Sequence, residues 1–90
     1  MPRPATSEAT LDAGRRLASQ IRQERTRAGV SAEALARSAG LSVETVRRIE
    51  RGLIPNPGFF TVAAIAGELG IELDRLREAS RAPSRRKRTK

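Results

Sequence analysis

Residues 31–52 read SAEALARSAGLSVETVRRIERG, and this stretch decides the fold. It divides into two short helical segments around Gly40, Leu41 and Ser42. Leu35, Ala36 and Ala39 share one side of the first segment, and Val46 and Ile49 share one side of the second. Gly40 suits the left-handed position that ends a helix, because it has no Cβ to strain there. Ser42 can cap the next helix by accepting from its first unpaired N–H groups, and Ser31 stands in the same relation to the first segment. Ala36 is small enough to let the two helix backbones approach closely. The pattern predicts two helices, over about 32–39 and 43–51, braced at a steep angle by a turn of about three residues.

Outward from this pair the chain reads as helix throughout. A first helix is expected from about 11 or 12 to 28, capped by Thr10 or Ser7. Leu17 and Ile21 are i,i+4 neighbours, with Ala18, Arg25 and Ala28 along the same side. Gly14 weakens its first turns, and Gly29 ends it. After Gly52 the sequence LIPNPG forbids a regular element. A fourth helix follows over about 58–69, with Phe59, Val62, Ile65, Ala66 and Leu69 inward. Gly70 ends it, and a fifth helix over about 73–79 is anchored by Ile71 and Leu76. No alternating strand pattern and no internal repeat occur. The expected organisation is an all-α, compact five-helix domain over 11–79, with a flexible arm over 1–10 and a disordered basic tail over 80–90.

Ninety residues suit one domain with a small core. Cysteine and histidine are both absent. Zinc sites built from them are excluded, as are Ser-His and Cys-His nucleophile pairs. No two carboxylates fall together in an apolar setting, so no catalytic residue, metal site or cofactor is expected. There is no long apolar run, and a soluble, cytoplasmic protein without membrane contact is expected. The charge is uneven. Residues 11–80 hold eleven cations and nine acids, whereas residues 81–90, RAPSRRKRTK, hold six cations and no acid. Polyanions, nucleic acid foremost, are the natural partners of such a chain.

A short helix with apolar residues on its inner side only, braced by a second helix, is the geometry that fits a DNA major groove. Here the chain resembles a specific family. The segments IRQERTRAGVSAEALARSAGLS, VRRIERG and NPGFFTVAAIAGELGIELDRL are similar, in order, to the Cro/cI phage-repressor type of helix-turn-helix protein, the XRE type. The likeness covers about 17–76. It implies a lambda-repressor-like five-helix fold, double-stranded DNA as partner, a homodimer on a two-fold operator, and the third helix in the major groove. Residue by residue, Val43, Glu44, Arg47 and Arg48 match positions that face bases or the groove wall. Arg48 suits guanine O6 and N7, Glu44 suits cytosine N4, and Val43 suits a thymine methyl, while Arg47 can take a base or a phosphate. Ser31, Ser42, Thr45, Arg51 and Asn56 match positions that hold phosphates. Arg25 and Glu50 match a structural ion pair joining the first and third helices. The family often has Gln at the second position of its second helix, where it helps clamp a phosphate; here it is Ala32.

Each residue also has a plainer role open to it. Arg47, Arg48 and Arg51 are common solvated surface residues, Glu44 can pair with Arg47 or Arg48 along the helix, and Ser31 and Ser42 are caps first. Three functions therefore compete. The first is a sequence-specific transcriptional regulator associated with the nucleoid, with Phe60, Ala63, Ala64 and Gly67 as a candidate dimer strip beside the fifth helix. The second is an antitoxin or adaptor of the same fold whose main duty is a protein partner. The third is nonspecific nucleic-acid binding through the tail, although only Phe59 and Phe60 are available for base stacking.

Overall fold

Five helices and no strand make up the described residues, 7–54 and 56–81, of the computed structural model. They are α1 (Glu8–Ala28), α2 (Ala32–Ala39), α3 (Val43–Glu50), α4 (Phe59–Leu69) and α5 (Leu73–Ser80). The all-α architecture matches the expectation from sequence. Among the described residues no helix is long and apolar enough to cross a membrane.

Local signals place most of the helix ends. Ser7, Ser31 and Ser42 each cap a helix by accepting from the backbone N–H three residues on. At the turn between α2 and α3, Gly40 adopts φ +74°. This lets the Leu41 N–H reach back to the Ala36 carbonyl at 2.8 Å, closing α2 and returning Leu41 towards the core. Gly52 adopts φ +74° after α3, and a Cβ there would also meet the Arg15 side chain at 3.6 Å.

The core is one cluster of Ile21, Leu35, Ala36, Val46, Ile49, Ile65, Ala66, Ile71 and Leu76, with Leu17, Val30, Leu41, Val62 and Leu69 packed around it. Every helix contributes, so the short α2 and α3 gain their stability from packing rather than from their own propensity.

Four expectations need correction. α1 begins at Glu8 rather than near 11, because Ser7 supplies the cap and Gly14 is buried within the helix, where packing outweighs its low propensity. α5 runs through Ser80, whose carbonyl accepts from Arg16 Nε at 3.1 Å. Phe59, expected in the core, is 63% exposed. It is the first residue of α4, and its turn overhangs the packed body, so the ring rims an open hollow with Leu17, Val62, Leu73 and Leu76. Ala28 is likewise exposed at the end of α1. The remainder of the expected arm, residues 1–6, and residues 82–90 of the expected tail lie outside the described residues.

Among the described residues two charged side chains are buried, and both tie helices together. Glu50, the last residue of α3, receives the Arg25 guanidinium side-on: Nε to Oε2 at 2.6 Å and Nη2 to Oε1 at 2.9 Å. The same guanidinium donates to the Val30 carbonyl at 2.8 Å, and Arg22 Nη1 donates to the Glu50 carbonyl at 3.1 Å. Hydrogen bonding to Glu50 is the main reason the Arg25 pKa is raised. Glu24 is the second. It accepts from Gln20 at 2.7 Å and from Arg75 of α5 at 2.9 Å, with Arg27 at 3.3 Å.

Breaking the Arg25–Glu50 pair strands a charge. Arg25→Ala leaves the buried Glu50 carboxylate without its fork and is expected to cost about 3–5 kcal/mol. Glu50→Ala leaves a guanidinium that still reaches water, and costs less, about 2–3 kcal/mol. Arg48→Ala, on the exposed side of the same helix, stays within about 0.5 kcal/mol. Urea denaturation of the three proteins checks this; stability of either pair variant equal to that of Arg48→Ala refutes the structural role.

Candidate nucleic-acid interface

α3 has two distinct sides. Val46 and Ile49 are buried against the core and Glu50 is held by Arg25, which fixes the rotation of the helix about its axis. Glu44, Arg47 and Arg48 are thereby turned to solvent, with Arg51 exposed at the C-terminal end. Val43 is half-buried and packs against the core cluster, so only part of its side chain is available outward. Glu44 and Arg48 form a long i,i+4 ion pair at 3.9 Å. Arg47 turns instead towards α2, where its Nη2 meets Glu33 Oε2.

At the start of α3, Ser42 Oγ accepts from the Thr45 N–H at 3.0 Å and donates to Thr45 Oγ1 at 2.9 Å. The other N–H groups of this first turn have no acceptor within the helix, and the helix dipole adds partial positive charge at the same point. Ser31 caps α2 in the same way, accepting from the Ala34 N–H at 3.0 Å. An open groove runs between α1, the start of α2 and α3. Its walls include Arg22, Arg25, Ser31, Ala32, Arg47 and Arg51, together with Glu33 and Glu50. The groove thus brings Ser31, Arg47 and Arg51 together, while Ser42, Thr45, Glu44 and Arg48 belong to the α3 start and outer side. Asn56 is exposed but stands apart, beside Ala9, Thr10 and Ala13 of α1.

Two residues of this surface were not singled out by their sequence. Arg22 lines the groove and holds the end of α3, one turn before Arg25 on α1. Its spacing from Arg25 marks it as a groove residue only once the α1–α3 crossing is known. Glu33 follows Ala32 in the first turn of α2, and its carboxylate is held below the usual range. The main cause is a hydrogen bond from its own backbone N–H; the positive charge of Arg47 adds to it. It therefore stays ionised throughout the neutral range.

A small helical body that locks one side of a short helix and offers guanidinium, carboxylate and capped N–H groups on the other defines a DNA-binding helix-turn-helix protein. A family model described as helix-turn-helix matches residues 21–76, more than half of the chain. The chain belongs to that family, in its Cro/C1-type, XRE-like form, and is a DNA-binding regulator in the general sense. Comparison with curated proteins gives no match.

The geometry at Ser42 separates capping from contact with DNA. Ser42→Ala removes the cap and is expected to cost about 1 kcal/mol of stability. Ser42→Asp restores the cap but sets a negative charge where a phosphate would approach. Melting temperature and duplex affinity, measured together, should show Ser42→Asp near the parent in stability and weaker in binding. Unchanged binding removes Ser42 from the interface.

Proposed function

We propose that this regulator binds an inverted repeat as a homodimer, with α3 lying in the major groove of each half-site. The observation that carries the reading is the two-sidedness of α3: its inner side is locked by Val46, Ile49 and Glu50, and the side left outward is polar and rich in arginine. Arg48 is the principal base reader, bidentate to guanine, with Glu44 and the exposed part of Val43 beside it. Arg47, Arg51, Ser31, Ser42 and Thr45 hold the backbone on the two sides of the helix, and Asn56 contacts it from the loop before α4.

The second half of the reading concerns the face made by the start of α4 and the start of α5. Phe59 and Phe60, in edge-to-face contact with ring centroids 5.4 Å apart, are 63% and 84% exposed, and Leu73 is 39% exposed. Exposed aromatics this close together mark an interaction face. Residues 59–80 carry four acids and two cations, whereas residues 7–54 carry nine cations and six acids. A second copy is therefore not repelled at this face as it would be at α3. Asp74 and Arg77, neighbours at the rim of the hollow, give a two-fold interface an opposite charge from each side.

Selection from random duplex DNA tests the whole reading. The expected product is an inverted repeat with half-sites about 10 bp apart or a multiple of that. On it, Arg48→Ala should lose about 1–3 kcal/mol and relax the preference at one base pair of each half-site. Failure to enrich any repeat turns the reading towards nonspecific binding.

Phe60→Glu tests the dimer face. Sedimentation should show the parent protein dimerising with concentration and the variant remaining monomeric, without loss of fold. A parent that stays monomeric, with and without DNA, refutes the homodimer and leaves the Phe59–Phe60 face to a different protein, as in an adaptor.

A further inference from the structure

The contact between Glu33 and Arg47 has no counterpart in the readings above. It joins α2 to α3 across the groove, and both side chains are exposed, Arg47 at 47% and Glu33 at 56%. Neither helix needs the pair for folding, because Ser31 and Ser42 already cap them and the Arg25–Glu50 fork already fixes α3. What the Glu33 carboxylate does engage is the Arg47 guanidinium, beside the start of α2 in the same groove. A guanidinium is a donor that a DNA phosphate would take at this place. Arg25 of α1 adds its positive charge to the same carboxylate, so cations face it from both neighbouring helices.

We propose that Glu33 stands in the place of a DNA phosphate in the free protein, so that the backbone must displace its carboxylate from Arg47 in order to bind. The inference rests on the reading that the α2–α3 groove faces DNA. It assigns Arg47 to the backbone rather than to base edges, since Glu33 holds it at the α2 edge of the groove. It also gives Glu33 a definite role: a built-in competitor that lowers affinity for every duplex alike. Specific and nonspecific DNA contain the same phosphate, so the competitor weakens both, and a protein that must find few sites among many gains by releasing the wrong ones quickly.

Glu33→Gln keeps the side-chain shape, removes the charge and leaves the core untouched. Fluorescence anisotropy with the selected repeat and with a scrambled duplex, over a range of salt, reads the effect. The variant should bind both duplexes more tightly by about two- to five-fold, the range an exposed ion pair commands. Arg47 reaches the same phosphate in both proteins, so the salt slope should change by less than the roughly 0.9 of one whole phosphate contact. Removing any acid from a DNA-binding surface can tighten binding by long-range attraction, so the decisive measurement is the double variant. The gain from Glu33→Gln should vanish in an Arg47→Ala background, whereas a long-range effect would persist there. A single variant that binds no tighter, or a gain undiminished without Arg47, overturns the proposal. Arg48→Ala keeps this outcome distinct from failure of the major-groove reading: if α3 reads bases, it relaxes the preference at one base pair of each half-site whatever Glu33→Gln does.

Discussion

The side-on fork between Arg25 and Glu50 is the constraint on which the rest of the structure depends. α3 has eight residues, little more than two turns, and is far too short to persist alone. Burial of Val46 and Ile49 attaches it to the core, but apolar contact has no strong directional preference and tolerates rotation. A planar guanidinium bound through two nitrogens to one carboxylate does not. Because Glu50 is the last residue of α3, and its carbonyl is also held by Arg22, the helix is fixed at the end away from its serine cap. Buried pairs of this kind add little net stability, and their use is to select one arrangement among several. Here the arrangement selected is the one that turns Glu44, Arg47 and Arg48 outward.

The outward surface is not a bare basic patch. Arg47 and Arg48 each have a carboxylate partner in the free protein, one supplied from α2 and the other from the preceding turn of α3. On the proposed function, binding DNA here is an exchange of acceptors: Arg47 gives up a hydrogen bond to Glu33 and Arg48 a long ion pair with Glu44. The departure at Ala32 fits this scheme. Where the family often has Gln to steady the neighbourhood, this chain has a methyl group, and the adjacent Glu33 makes the polar link to α3.

Much of the fold was legible because its signals are local. The serine caps at Ser31 and Ser42, the left-handed Gly40, the inward Leu35 and Ala36 of α2 and the inward Val46 and Ile49 of α3 can each be read within a few residues. Phe59 was misplaced because periodicity reports which side of a helix a residue occupies, not whether the neighbouring helices extend far enough to cover it. The start of α1 turns on which of two candidate caps is used, Ser7 or Thr10, and no local signal decides between them; Ser7 is the cap. The outer side of α3 was legible in composition, but the partners of its arginines were not. Glu33–Arg47 depends on how α2 crosses α3, and Glu24–Arg75 spans 51 residues of sequence. No spacing rule reaches across such a distance.

Glu24 and Arg25 are adjacent in sequence, yet one fastens α5 and the other fastens α3. Consecutive residues of a helix point about 100° apart, so a single turn of α1 carries both attachments on different sides. The helix that presents Leu73 and the helix that presents Arg48 are thus geared to one shaft. The seat of α5 and the seat of α3 are set from one turn of α1, with no loop between the two attachments along this route.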